Sequence, residues 1–245
     1  MFSVKPKFRS AKVLSATLLA ISLTVPALAD EKDEAMAKKL TILLRSARAV
    51  ISANPKMIGD PTTAGLKIEE FMDSTKKNYT KTMGTALDDD ATKNLMKAIE
   101  EVASNAIGGK YKDRWTTGVE YPGKFLPARF AAEVSTQFSA LSTGKYVLKL
   151  TVPNKFLVNK ANQADDWETG VIDGKFLKPG WQRGQIYFEQ ASYKGKPAFR
   201  GIVPEYYDTT CLKCHGADEG KRIHAGKVEG KIGDVGGAIS VAIIK

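Results

Sequence analysis

The chain of 245 residues carries a formal net charge of +10, but its lysines are dispersed and no basic run is interleaved with aromatic residues. That distribution argues against a nucleic-acid partner and suits solvated surface. Two cysteines and two histidines are all the thiols and imidazoles the chain has.

The N-terminus sets the compartment. MFSVKPKFRSAK supplies Lys5, Lys7, Arg9 and Lys12, and the apolar stretch VLSATLLAISLTVPALA follows and ends on Ala27-Leu28-Ala29. A basic segment, a short apolar core broken by Pro26 and a small-residue A-x-A site form the pattern of a cleavable signal peptide. A spanning helix needs about 20 apolar residues and fits less well. Cleavage after Ala29 leaves residues 30–245 as a single mature domain in the periplasm, with a formal charge lowered to +6 by loss of the four basic residues. No later segment is apolar enough to cross a membrane.

Helices come first along the mature chain. In EAMAKKLTILLRSARAVISA, residues Met36, Leu40, Leu43, Leu44, Ala47, Val50 and Ile51 recur at helical spacing. That long stripe serves a homodimer as readily as a core, and Asn54-Pro55 ends it. A second helix is predicted across AGLKIEEFMDSTKKNYTKTMG, with Gly84 as its stop. A third starts behind Asp88-Asp89-Asp90, whose charges suit a helix N-terminus, and runs to Gly108-Gly109. Gly118, Pro122, Gly123 and Pro127 then punctuate a loop before a fourth helix in RFAAEVSTQFSAL.

From Lys145 the period changes. KYVLKLTV alternates, QIYFEQASYKGKPAFRGIV reads as two strands joined at Lys194-Gly195-Lys196, and GGAISVAII reads as a buried terminal strand. Helices followed by antiparallel strands make an α+β domain.

Chemistry concentrates at Cys211-Leu212-Lys213-Cys214-His215, which fits the attachment pattern of haem c. Thiols three residues apart can form thioethers to the vinyl groups of one haem, and the adjacent imidazole then falls beneath the iron as its proximal ligand. A structural disulfide would be natural in an exported protein, but a thioredoxin-like redox pair belongs to a βαβ unit, which is not visible here. Zinc would need Cys211, Cys214, His215 and His224 together, and the adjacent Cys214 and His215 are poorly placed to share one ion.

PEYYDTTCLKCHG, the later GKVEGKIGDVGGAISV and the upstream NKANQADDWE at 159–168 resemble the signature blocks of the periplasmic c-type haem PAS-like domain family. The resemblance covers nearly the whole mature chain. It implies a PAS-like α+β domain with N-terminal helices, a C-terminal antiparallel sheet and one covalent haem c. Such domains occur alone in exported proteins or as the periplasmic sensor input of chemotaxis receptors and histidine kinases. An ordinary cytochrome c resembles the chain less, being small and helical with its attachment motif near the mature N-terminus.

The family resemblance also bears on the sixth position of the iron. Some members use a cysteine from the N-terminal helical region; here both cysteines are committed to attachment, and the chain departs from that pattern. Others use a methionine after the first helix, where this chain reads SANPKMIGDP and offers Met57 in a loop. Its plain alternative is a core filler. His224 is a further distal candidate, nine residues beyond His215, and Met72 reads as core. The resemblance further implies that Trp167 and Tyr207 pack on the macrocycle and that Arg183 or Arg200 holds propionates, although each is also an ordinary core or surface residue.

Three functions fit. A redox or diatomic-gas sensor would release a labile sixth ligand, to CO, NO or O2 for example, and bias a two-state element. A periplasmic electron-transfer cytochrome would keep both axial ligands, and its basic surplus suits an acidic redox partner. A haem enzyme such as a peroxidase needs an open iron and a distal acid or base, for which only His224 is on hand. No kinase, HAMP segment or membrane helix follows the domain, so a sensor of this kind would act through a separate receptor protein.

Overall fold

The computed structural model describes Met1 and residues 27–110, 125–217 and 229–245. The basic and apolar parts of the predicted signal peptide up to Pro26 therefore lie outside the described residues, as do Gly118, Pro122 and Gly123 of the predicted loop.

Helix α1 (Ala27–Ser52) carries the predicted stripe, and Leu40, Leu43, Leu44, Ala47 and Ile51 are fully buried. Each such leucine contributes about 1.5–3 kcal/mol through burial, so Leu43→Ala would cost about 2–5 kcal/mol. Asn54-Pro55 ends α1 but also starts α2 (Pro55–Gly59), with proline at its first turn. Proline lacks the N–H that would be unpaired there and has the right φ already. Met57 thus sits in a short helix and not in the expected loop.

Helix α3 (Ile68–Met83) ends on Gly84 at φ +67°, the left-handed cap that glycine adopts without steric penalty. Helix α4 (Asp90–Ile107) is capped by Asp89, whose side chain accepts from the Thr92 N–H and also pairs with Lys39 of α1 at 2.8 Å. Helix α5 (Pro127–Leu141) begins on Pro127, again a proline at the first turn.

Strands β1 (Tyr146–Thr151), β2 (Tyr187–Tyr193), β3 (Lys196–Tyr206) and β4 (Val235–Ile244) form one antiparallel sheet in the order β1-β4-β3-β2. The β2–β3 hairpin turns on Lys194 and Gly195 at φ +50° and +78°, two left-handed residues whose twist matches that of the strands. Pro204 is tolerated within β3 because pairing to β2 stops at Ile202.

Strand alternation gives the sheet two covered faces. Phe199 and Val203 of β3, Ile239, Val241 and Ile243 of β4 and Leu148 of β1 join the core formed by α1, α3, α4 and α5. On the other face Ile202, Val235 and Ala238 meet Val171, Ile172 and Phe176, from α6 (Asp166–Val171) and the π-helical turn Ile172–Phe176. The domain is α+β with helices first and an antiparallel sheet last, an arrangement that fits a PAS-like domain. No helix among the described residues is long and apolar enough to cross a membrane.

Candidate functional site

The β3–β4 connection starts as the chain leaves β3 at Tyr206 and returns at Val235. Its base is tied shut by backbone hydrogen bonds. The Tyr207 N–H donates to the Asp234 carbonyl at 2.9 Å, the Gly233 N–H to the Tyr207 carbonyl at 2.8 Å, and the Gly230 N–H to the His215 carbonyl at 2.8 Å. The Cys211–His215 segment is therefore anchored at both ends.

Within it, α7 (Leu212–His215) is a single helical turn. The His215 N–H donates to the Cys211 carbonyl at 2.9 Å and the Cys214 N–H to the same oxygen at 3.1 Å. Residues three and four apart are neighbours on a helix surface, so this turn sets Cys211 beside both Cys214 and His215. Both thiols are unbridged and half-buried. Burial pushes the Cys211 thiol above its ordinary range.

Asp208 starts the turn. Its carboxylate accepts from the Thr210 N–H at 2.8 Å, the Thr210 hydroxyl at 2.5 Å and the Cys211 N–H at 3.0 Å. Those donors, the Thr210 hydroxyl foremost, hold its pKa down to about 2. Sequence reasoning passed over this residue, although an aspartate followed by Thr-Thr-Cys is a recognisable turn signal.

Beneath the turn, Phe156 and Tyr207 form a small apolar cluster with Val158, Cys211 and Leu212 against it. Tyr207 stacks on the His215 ring, with centroids 5.2 Å apart and planes 12° from parallel. Burial, then the negative groups Cys211 and Asp234, push its hydroxyl pKa upward. Two glycines make room for it. A Cβ on Gly236 would lie 2.2 Å from the Tyr207 ring, and one on Gly230 would lie 2.5 Å away. These glycines were not singled out in the sequence; only the run of Gly230, Gly233, Gly236 and Gly237 hinted at close approach.

The other site candidates fall elsewhere. Met57 is fully buried in the helical core, a different cluster from that of the motif. Met72 is core too, as expected. Trp167 belongs to the α6-side cluster; its ring lies 4.1 Å from the Arg200 guanidinium, and its N–H donates to Glu189 at 2.7 Å. Arg200 is itself buried and paired with Asp165 at 2.8 Å and Glu168 at 3.3 Å. The 159–168 block thus forms an ion-pair network with the sheet. Arg183 lies over the Tyr206 ring at 4.5 Å and fills the space a Cβ on Gly233 would take, close to the motif's base. His224 lies outside the described residues.

The donor set suits a covalently tethered haem. Two unbridged thiols and an imidazole lie within a single turn, and among the described residues no three His, Cys, Asp or Glu side chains gather as a bare-ion site. No curated protein and no solved structure matches the chain significantly. One family model matches residues 27–243, nearly the whole sequence, and is described as Tll0287-like. The chain belongs to the Tll0287-like family.

Proposed function

We propose that this is an exported monohaem c-type protein of the periplasm, cleaved after Ala29, with a PAS-like domain that senses redox state or a diatomic gas. Cys211 and Cys214 hold the haem by thioethers and His215 binds its iron from the proximal side. The haem supplies a redox-active iron able to bind small gases. The chain's own residues position it: Asp208 shapes the turn, Tyr207 supports His215, and the bonds to Gly230 and Asp234 fix the turn to the sheet. The observation that carries this reading is the single capped turn presenting both thiols and the imidazole.

The partner is then a separate receptor, and CO, NO or O2 is the ligand class. Electron transfer is the second reading, favoured by the basic surplus, which suits an acidic redox partner. Spectra of the oxidised and reduced protein with and without CO or NO separate the two: ready gas binding supports the sensor, and an inert six-coordinate iron supports the carrier.

Met57 is the proposed sixth ligand. The variant Met57→Leu keeps most of the buried volume and removes the thioether. Loss of the low-spin spectrum would assign Met57 to the iron; an unchanged spectrum and midpoint potential would assign it to the core in which it packs.

A further inference from the structure

The Tyr207–His215 stack is held from several sides. The Tyr207 backbone is tied at its N–H to Asp234 and at its carbonyl to Gly233, and the His215 carbonyl is tied to Gly230. Both rings therefore hang from fixed points. Phe156 packs on Tyr207 at 5.3 Å and 52°, while Gly230 and Gly236 leave the ring no space for a Cβ on either. With only 8% of its surface exposed, Tyr207 has little freedom to turn away.

A nearly parallel neighbour at 5.2 Å limits rotation of the imidazole about its bond to Cβ. Groups that orient a metal-binding histidine tune the metal through it, because ring orientation governs overlap with the iron orbitals. We propose that Tyr207 is a positioning residue, the platform that sets the plane of the His215 imidazole beneath the haem iron. This rests on the reading that His215 is the proximal ligand. It assigns Tyr207 to the imidazole, whereas packing on the macrocycle is the role implied by the family resemblance.

The test uses haem-loaded Tyr207→Leu and Tyr207→Phe beside the wild type, with covalent haem measured by mass, the oxidised iron by electron paramagnetic resonance, and the midpoint potential by titration. Tyr207→Leu is expected to keep its covalent haem, since both thiols remain, but to show displaced and broadened g-values and a changed potential. Tyr207→Phe keeps the flat ring and is expected to restore both. A Leu variant indistinguishable from wild type, or a Phe variant that fails to restore, would overturn the proposal. If Tyr207→Leu does not fold, NMR of the reduced wild-type protein decides: cross-relaxation between Tyr207 and His215 ring protons is expected, and its absence beside contacts from Tyr207 to haem methyls would overturn the proposal. A wild type that carries no covalent haem would instead defeat the underlying haem reading.

Discussion

Arg200 and Glu168 stand 3.3 Å apart with both side chains essentially inaccessible to water. Asp165 pairs with the same guanidinium and Lys149 with Glu168, so a four-residue charge network ties the loop before α6 to β1 and β3. Removing one partner strands a buried charge, which costs about 3–5 kcal/mol. Arg200→Ala is expected to lose that much in urea unfolding. Arg200→Lys is expected to recover only part, since an ammonium cannot stack flat on Trp167 or reach both carboxylates with a planar fork.

Glu205 near the end of β3 is gripped by Arg45 and Arg48 of α1. Burial alone would raise its pKa, but the Arg48 and Arg45 charges outweigh that and hold it below the ordinary carboxylate value. The folded-state pKa is thus below the unfolded one. The pair's stability is present above an unfolded pKa of about 4.3 and is lost as pH falls through the folded value. Glu205→Gln is expected to cost about 1–3 kcal/mol near neutral pH. Unfolding free energies measured against pH should show wild type and variant converging below about pH 4; a pH-independent gap would contradict the assignment.

Asp208→Ala removes the acceptor that shapes the attachment turn. Losing such a cap costs about 1 kcal/mol, and the yield of covalent haem should fall with it. Asp208→Asn keeps an acceptor and should restore most of the yield. The native pKa is depressed, to about 2, so the charge-dependent stabilisation is full above about pH 3.9 and fades as pH drops towards 2. Haem yield by absorbance and chemical unfolding across that range check both statements.

Gly236→Ala would drive a Cβ to 2.2 Å from the Tyr207 ring, and overpacking of this kind costs about 1–3 kcal/mol. Gly170→Ala in α6 meets nothing within 4 Å and is expected to gain about 0.5–1 kcal/mol from better helix propensity. Thermal melts of the two variants should move in opposite directions.

The long elements were readable because their signals are periodic and local. The α1 stripe, the Asp88-Asp89-Asp90 cluster at the start of α4, the Gly84 stop and the Lys194-Gly195 turn all predict what the structure has. Two prolines do more than punctuate: Pro55 follows the end of α1 as expected but also opens α2, and Pro127, read as loop, opens α5, a role that proline has only by position. Strand alternation could not assign Arg200, since an arginine in β3 reads as exposed until Asp165, Glu168 and Trp167 are seen around it. At the candidate site, spacing alone singles out Cys211, Cys214 and His215. It does not single out their support, because Phe156, Tyr207, Gly230 and Gly236 converge only through tertiary packing.

The most direct test of the account is the mass of the protein exported from a host able to attach haem c. Expected is a gain of about 616 Da, the mass of one haem, localised to the peptide holding Cys211 and Cys214 and abolished by the double variant Cys211→Ala/Cys214→Ala. A mature chain of unmodified mass, with both thiols free to alkylate, would contradict it.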